Sequence, residues 1–274
     1  MILKTYLNSF IGTIRKTYVS QINYGSFQTK IGFKSLIIIA VLGIAYQIYI
    51  DGFIDEDEIS FADFSYGLSS LAVGITGLFI AKRYKGSPVF GKTYLALAIG
   101  FILLFVGDLV YNYYLMVLDE DPYPSIADAF FFTFYIFTGY HLVKNINYFK
   151  KDIGVFIKLG VASLAIAMTC TFGLFTIETF EDDPIMWITS ELYVIASAII
   201  LSLALLGLTV FRYSVLGITW VMLVIGIFFY SFADVWYYYL EEVEAFSITH
   251  PVNTLWVLSN IFMVYSLYKH KKII

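Results

Sequence analysis

The chain is predicted to be an all-α polytopic membrane protein: eight transmembrane helices in two parallel four-helix repeats, with N- and C-termini cytoplasmic. Three observations predict this. First, 59% of the residues are hydrophobic and only 14% charged, with a mean hydropathy of +0.78. Soluble domains carry about 25% charged residues, so a water-soluble fold is excluded. Second, the connectors between apolar stretches alternate in sign. Lys82, Arg83, Lys85 and Lys92, then Lys144, Lys150, Lys151 and Lys158, then Arg212, mark one side. Connectors 51–58, 119–121, 178–183 and 241–244 carry only acids. Basic connectors stay in the cytoplasm. Third, the chain repeats itself.

In order, residues 1–30 lack the continuous apolar core of a cleavable signal peptide, and none is expected. Ile2, Leu3, Tyr6, Leu7, Phe10, Ile11 and Ile14 recur at three- and four-residue spacing, with Lys4, Arg15 and Lys16 off that face. This predicts an amphipathic helix lying on the inner leaflet. A helix crosses the hydrocarbon with about 20 apolar residues. Spans are predicted at 35–50, 64–81, 94–118, 126–143, 155–177, 185–211, 215–240 and 252–268. Runs such as 201–210 are apolar all round, without the alternation of a membrane β-barrel. The first repeat covers 31–147, the second 148–268, and a basic cytoplasmic tail 269–274.

The repeat appears when the chain is shifted by 126 positions, with no gap over residues 54–117. Gly91 falls on Gly217, Tyr94 on Trp220, Gly100 on Gly226, Asp108 on Asp234, Tyr111 on Tyr237 and Tyr113 on Tyr239. Pro124 and Pro251 open the last span of each half. Each half has an even number of spans, so both insert the same way up, related by an axis along the membrane normal.

Asp108, Glu191 and Asp234 lie inside apolar spans, roughly 10–15 Å from their acidic ends at 1.5 Å per residue. Asp128 is about one turn into the fourth span, and Asp63 is at the interface. A charged aspartate at the bilayer centre costs at least about 2.5–3.5 kcal/mol. Protonation, hydrogen bonds, a wet vestibule or a bound cation would each offset that cost. Tyr111 and Tyr237 follow their aspartates by three residues, on the same helical face, and are the expected donors. Tyr113 and Tyr239 point away, toward the aromatic belt. His250, at the outer mouth, completes a candidate ligand-binding set with Asp108, Tyr111, Asp128, Glu191, Asp234 and Tyr237. The bland counterparts are interhelical hydrogen bonding for Asp108 and Asp234, and a capping or loop role for His250. No HExxH, GxSxG or EF-hand pattern occurs, and no motif names a metal or cofactor. The single cysteine, Cys170, forms no intramolecular disulfide. The run Phe130-Phe131-Phe132-x-Phe134-Tyr135 is expected to face lipid and fill gaps between helices.

At Gly107-Asp108, Tyr111 and Asp121-Pro122-x-Pro124-Ser125-x-Ala127-Asp128-x-Phe130, the chain resembles the multi-spanning N-terminal membrane sensor modules of bacterial diguanylate cyclases and sensor kinases. The resemblance covers about 40 residues strongly, and implies sensing of something outside or within the membrane. A stand-alone module without an output domain is expected, because the sequence shows only a short basic tail after the eighth predicted span, and His250-Pro251-Val252-Asn253 replaces the Pro-Ser-x-x-Asp pattern in the second half. A weaker similarity, through Gly107-Asp108, Ala233-Asp234 and Phe137-x-x-x-His141, is to eight-span lysoplasmalogenase-like hydrolases. Topology places His141 at the opposite membrane face from both aspartates.

The expectation is a stand-alone sensor-like, ligand-binding or accessory protein of the cell membrane, with an outward-facing acidic pocket between the halves. Its partners would be the lipid bilayer and a membrane protein or second copy, not nucleic acid. The alternatives are a lipid hydrolase using paired aspartates, and a small-cation transporter.

Overall fold

The computed structural model describes residues 33–53, 64–120, 122–149, 153–243, 245–247 and 249–273. Eight long helices occupy them: α1 (Phe33–Phe53), α2 (Ser65–Arg83), α3 (Phe90–Tyr113), α4 (Ala127–Phe149), α5 (Val155–Thr176), α6 (Pro184–Phe211), α7 (Gly217–Glu242) and α8 (Val252–Ile273). α3 continues into a π-helical turn, Tyr114–Leu118, and a single turn, Thr179–Asp182, precedes α6. No strand occurs among the described residues. Five of the helices, α1, α3 with its extension, α5, α6 and α7, are long and apolar enough to cross a membrane. The predicted N-terminal amphipathic helix, Asp63 and most of the acidic connector 51–58 lie outside the described residues.

Sequence dictates where the helices start. Pro184 opens α6 at a position whose N–H would have no intrahelical partner, and Asp183 Oδ1 accepts from the amides of Ile185 and Met186, both at 3.0 Å. Ser125 and Asp128 form a reciprocal cap at the start of α4. Ser125 Oγ accepts from Ala127 N at 3.1 Å, while Asp128 Oδ2 accepts from Ser125 N at 2.6 Å. The prediction missed this capping box, whose S-x-x-D signature is plain in the sequence. In place of that serine, His250 Nδ1 accepts from Val252 N at 3.2 Å and caps α8.

Helix neighbours follow a closed order: α2–α3–α4–α6–α7–α8 and back to α2. α1 packs on the outside of α8, and α5 on α6. Only 6% of the most apolar stretch of α5 is buried, against 67% for α7, so α5 is peripheral and α7 central. Small side chains sew the ring together, as is usual between helices in lipid. Ser259 Oγ donates to Gly226 O at 2.7 Å, Ser266 Oγ to Thr219 O at 2.8 Å, and Ser231 Oγ to Ser197 O at 3.1 Å. Gln47 pins α1 to the start of α8, donating to Thr249 O and accepting from Thr254 Oγ1.

Gly91 and Gly217 do the same job. A Cβ on Gly91 would lie 2.6 Å from the carbonyl oxygen of Tyr84, and one on Gly217 2.7 Å from that of Arg212. Each lets a helix leave its turn against the backbone that closes the preceding helix.

Toward the end bearing Lys82, Arg83, Lys144 and Lys269, the ring is solid. Phe101, Phe134, Ile227, Trp220 and His141 fill it, with Phe101 on Phe134 at 5.0 Å and Phe134 on Tyr230 at 4.6 Å between ring centroids. Toward the end bearing Asp119, Glu120 and Glu241, it is open.

Candidate functional site

The opening is a cavity of about 510 Å³ lined from all six ring helices. This is the size of a small-molecule pocket. Tyr66 and Ser70 come from α2, Leu104, Asp108 and Tyr111 from α3, Phe131 and Tyr135 from α4, and Tyr193 from α6. α7 gives Tyr230, Asp234, Tyr237, Tyr238 and Glu241, and α8 gives Asn253, Trp256 and Asn260. Asp119 and Glu120 stand at the mouth, beyond the π-helical turn.

The two matched aspartates meet different environments. Asp234 is 2% exposed. Its Oδ1 accepts from Trp256 Nε1 at 2.9 Å, and its Oδ2 from Tyr135 Oη at 2.7 Å and from Ser197 Oγ. One carboxylate from α7 thus ties α4, α6 and α8 together. Indole N–H can only donate, which fixes Oδ1 as an acceptor. Asp108 is only half-buried and has one hydrogen bond at the limit of length, 3.3 Å from Ser70 Oγ. Its carboxylate lies against Gly67, where a Cβ would come within 2.9 Å of Oδ2.

The donors differ from those expected. Tyr111 and Tyr237 do not bind their own aspartates; instead Tyr237 meets Tyr111 and Glu241. The partners of Asp234 come from other helices because a residue three positions on is splayed along its own helix, while Tyr135, Ser197 and Trp256 point inward from three sides. Tyr135 belongs to the aromatic run 130–135, expected to face lipid and pack. That run mostly packs: Phe134 is fully buried and Phe132 stacks on Tyr193 at 4.1 Å. Tyr113 and Tyr239 do point outward, 51% and 42% exposed.

Of the seven candidate residues, Asp108, Tyr111, Asp234 and Tyr237 line one cavity; the other three do not. Asp128 completes its helix cap and accepts from Tyr193 Oη at 2.5 Å, joining α4 to α6. Glu191 is on the other side of α6, 3.6 Å from where a Cβ on Gly173 of α5 would be, with Oε2 buried and without a partner. His250 caps α8 edge-on to Trp236, at 5.0 Å between centroids. Burial pulls its imidazole below the usual value. The cavity residues that sequence reasoning missed, Tyr66, Tyr193, Tyr230 and Trp256, are ordinary aromatic residues in apolar spans, and only the ring order reveals them.

His141 is fully buried at the basic end. Its Nδ1 is 3.0 Å from Thr93 O, and its ring packs against Tyr94 at 4.8 Å. Thr93 and Asp108 are 15 residues apart on α3, about 22 Å along the axis, so His141 and the aspartates do not form one site. No cluster of three or more His, Cys, Asp or Glu that could hold a metal occurs among the described residues.

Compared with protein-family models, curated proteins and solved structures, the chain matches none.

Proposed function

We propose that the chain is an eight-span protein of the cell membrane, built from two parallel halves with both termini in the cytoplasm. In this reading it acts as a sensor-like ligand-binding module or accessory subunit whose acidic cavity faces outward. The observation that carries it is the cavity, which is blind toward the basic end and opens between Asp119, Glu120 and Glu241. By the positive-inside rule that mouth is extracytoplasmic. The duplicated reading is supported by the ring, in which α2–α3–α4 and α6–α7–α8 follow one another in the same order. The paired roles of Gly91 and Gly217 support it too.

A lipid hydrolase using both aspartates draws less support. Asp234 already receives three donors, and His141 lies at the far end of the ring.

Native mass spectrometry of wild type beside Asp108→Asn, released from mild detergent, tests the binding role. A small molecule or subunit carried by wild type and lost in the variant is the expected result. Identical unliganded spectra would count against it. Orientation is tested separately in a Cys170→Ala background. Glu120→Cys should react with a membrane-impermeant maleimide on intact cells, and Lys85→Cys only after lysis. The reverse pattern would invert the topology.

A further inference from the structure

We propose that the cavity takes a small lipophilic amine in its protonated form, with Asp108 as counter-ion. This rests on the ligand-binding reading above and adds the chemical class.

Charge restricts the ligand first. Asp108, Asp119, Glu120, Asp234 and Glu241 line the cavity, and among the described residues no lysine, arginine or histidine does. An anion would meet repulsion at the mouth and no compensating cationic side chain among the described lining residues. The walls restrict it next. Ten of the 22 lining residues are aromatic, and aromatic faces attract cations while covering apolar surface. Size argues against a bare ion, which would leave most of about 510 Å³ unfilled. The ligand is therefore a cationic group on an apolar body.

The two aspartates then divide the work. The lone pairs of Asp234 are engaged by Tyr135, Ser197 and Trp256. Asp108 has one long bond from Ser70 and a surface open to the cavity. It has acceptor capacity left, and a carboxylate of this kind holds an N–H-bearing cation by charge-assisted hydrogen bonds. Beside Ser70 on α2, Ser69 Oγ accepts from Asn260 Nδ2 of α8 at 2.7 Å, which holds that part of the lining in place. Asp234 is a positioning residue: it fixes Tyr135 and Trp256, two of the walls.

The test uses the full chain in nanodiscs of neutral phosphatidylcholine and three dansyl probes of similar size. Dansylcadaverine is the amine, its hydroxyl analogue is neutral, and dansylglycine is the anion. Energy transfer from tryptophan to dansyl reports binding, because Trp256 lines the cavity. The amine should bind saturably, the alcohol on the order of 10-fold or more weaker, as loss of a hydrogen bond to a charged group implies, and the anion not at all. Asp108→Asn should bring the amine down to the affinity of the alcohol. Gly67→Ala, which crowds Asp108 Oδ2 without touching its charge, should weaken the amine and spare the alcohol. If the alcohol or the anion binds as tightly as the amine, or Asp108→Asn keeps the amine's preference, the amine assignment fails while the pocket stands. If none of the three binds saturably, the pocket reading fails with it.

Discussion

Replacing Asp234 by alanine should destabilise the fold several times more than replacing Asp108. Asp234→Ala removes three hydrogen bonds, from Trp256 Nε1, Tyr135 Oη and Ser197 Oγ, and leaves the two hydroxyls only the 3.3 Å contact between themselves. Interhelical hydrogen bonds in membrane proteins contribute about 0.6 kcal/mol on average, up to about 1.7, so three together amount to roughly 2–5 kcal/mol. Asp108→Ala removes one bond of 3.3 Å, about 0.6 kcal/mol or less on the same scale. The two aspartates lie 126 positions apart, each in an apolar helix and each followed by tyrosines three and five residues on, which makes them a close comparison. The assay is equilibrium unfolding in dodecylmaltoside–SDS mixtures, followed by far-ultraviolet circular dichroism. Equal losses for the two variants would refute the division between a bonded aspartate and an open one. So would a more stable Asp234→Ala, the result expected if this carboxylate were an uncompensated buried charge.

Three further outcomes are expected. Gly217→Ala places a Cβ 2.7 Å from the Arg212 carbonyl oxygen, and should cost about 1–3 kcal/mol of stability despite a better helix propensity; Gly160→Ala on α5, with nothing within 4 Å, should be neutral or gain up to about 1 kcal/mol, by the same unfolding assay. Tyr193→Phe removes the hydroxyl that joins α6 to Asp128 and should cost about 1–2 kcal/mol; Ser190→Ala, on the same helix, measures the separate bond to Tyr123. His250 accepts from Val252 N only when neutral, and burial lowers its pKa. Its contribution is therefore fully present above the usual imidazole value of about 6.5 and is lost as pH falls through the window below it. Melting temperatures should drop across that window in wild type and stay flat in His250→Gln.

Much of the helical pattern was legible, because a helix in lipid must be apolar over a set length and turns need polar residues. α5, predicted at 155–177, is found at Val155–Thr176, and α6, predicted at 185–211, at Pro184–Phe211. Asp108 and Asp234 were also legible, as acids in apolar runs at matched positions. Their surroundings were not. Which helix neighbours which depends on packing between segments far apart in sequence, so Trp256 and Tyr135 could not be assigned to Asp234. Periodicity along a single helix suggested Tyr237, the nearest donor in sequence but not in space. Asp128 lies outside the cavity for the opposite reason. One of its partners is local, and the S-x-x-D spacing that makes it a cap is present in the sequence itself. Glu191 shows a further limit: depth in a span says nothing about which face a side chain occupies, and this one faces α5.

The three-donor grip on Asp234 also bears on how such a chain would be made. Helices emerge from N to C, so Tyr135 and Ser197 precede Asp234, and Trp256 follows it. Asp234 enters its surroundings with two of its three donors already synthesised, and the last helix supplies the third. An aspartate that is costly alone in hydrocarbon thereby arrives where acceptors are wanted. A fragment ending before α7 would leave those two hydroxyls without their carboxylate, and the ring closes only when α8 packs against both α7 and α2.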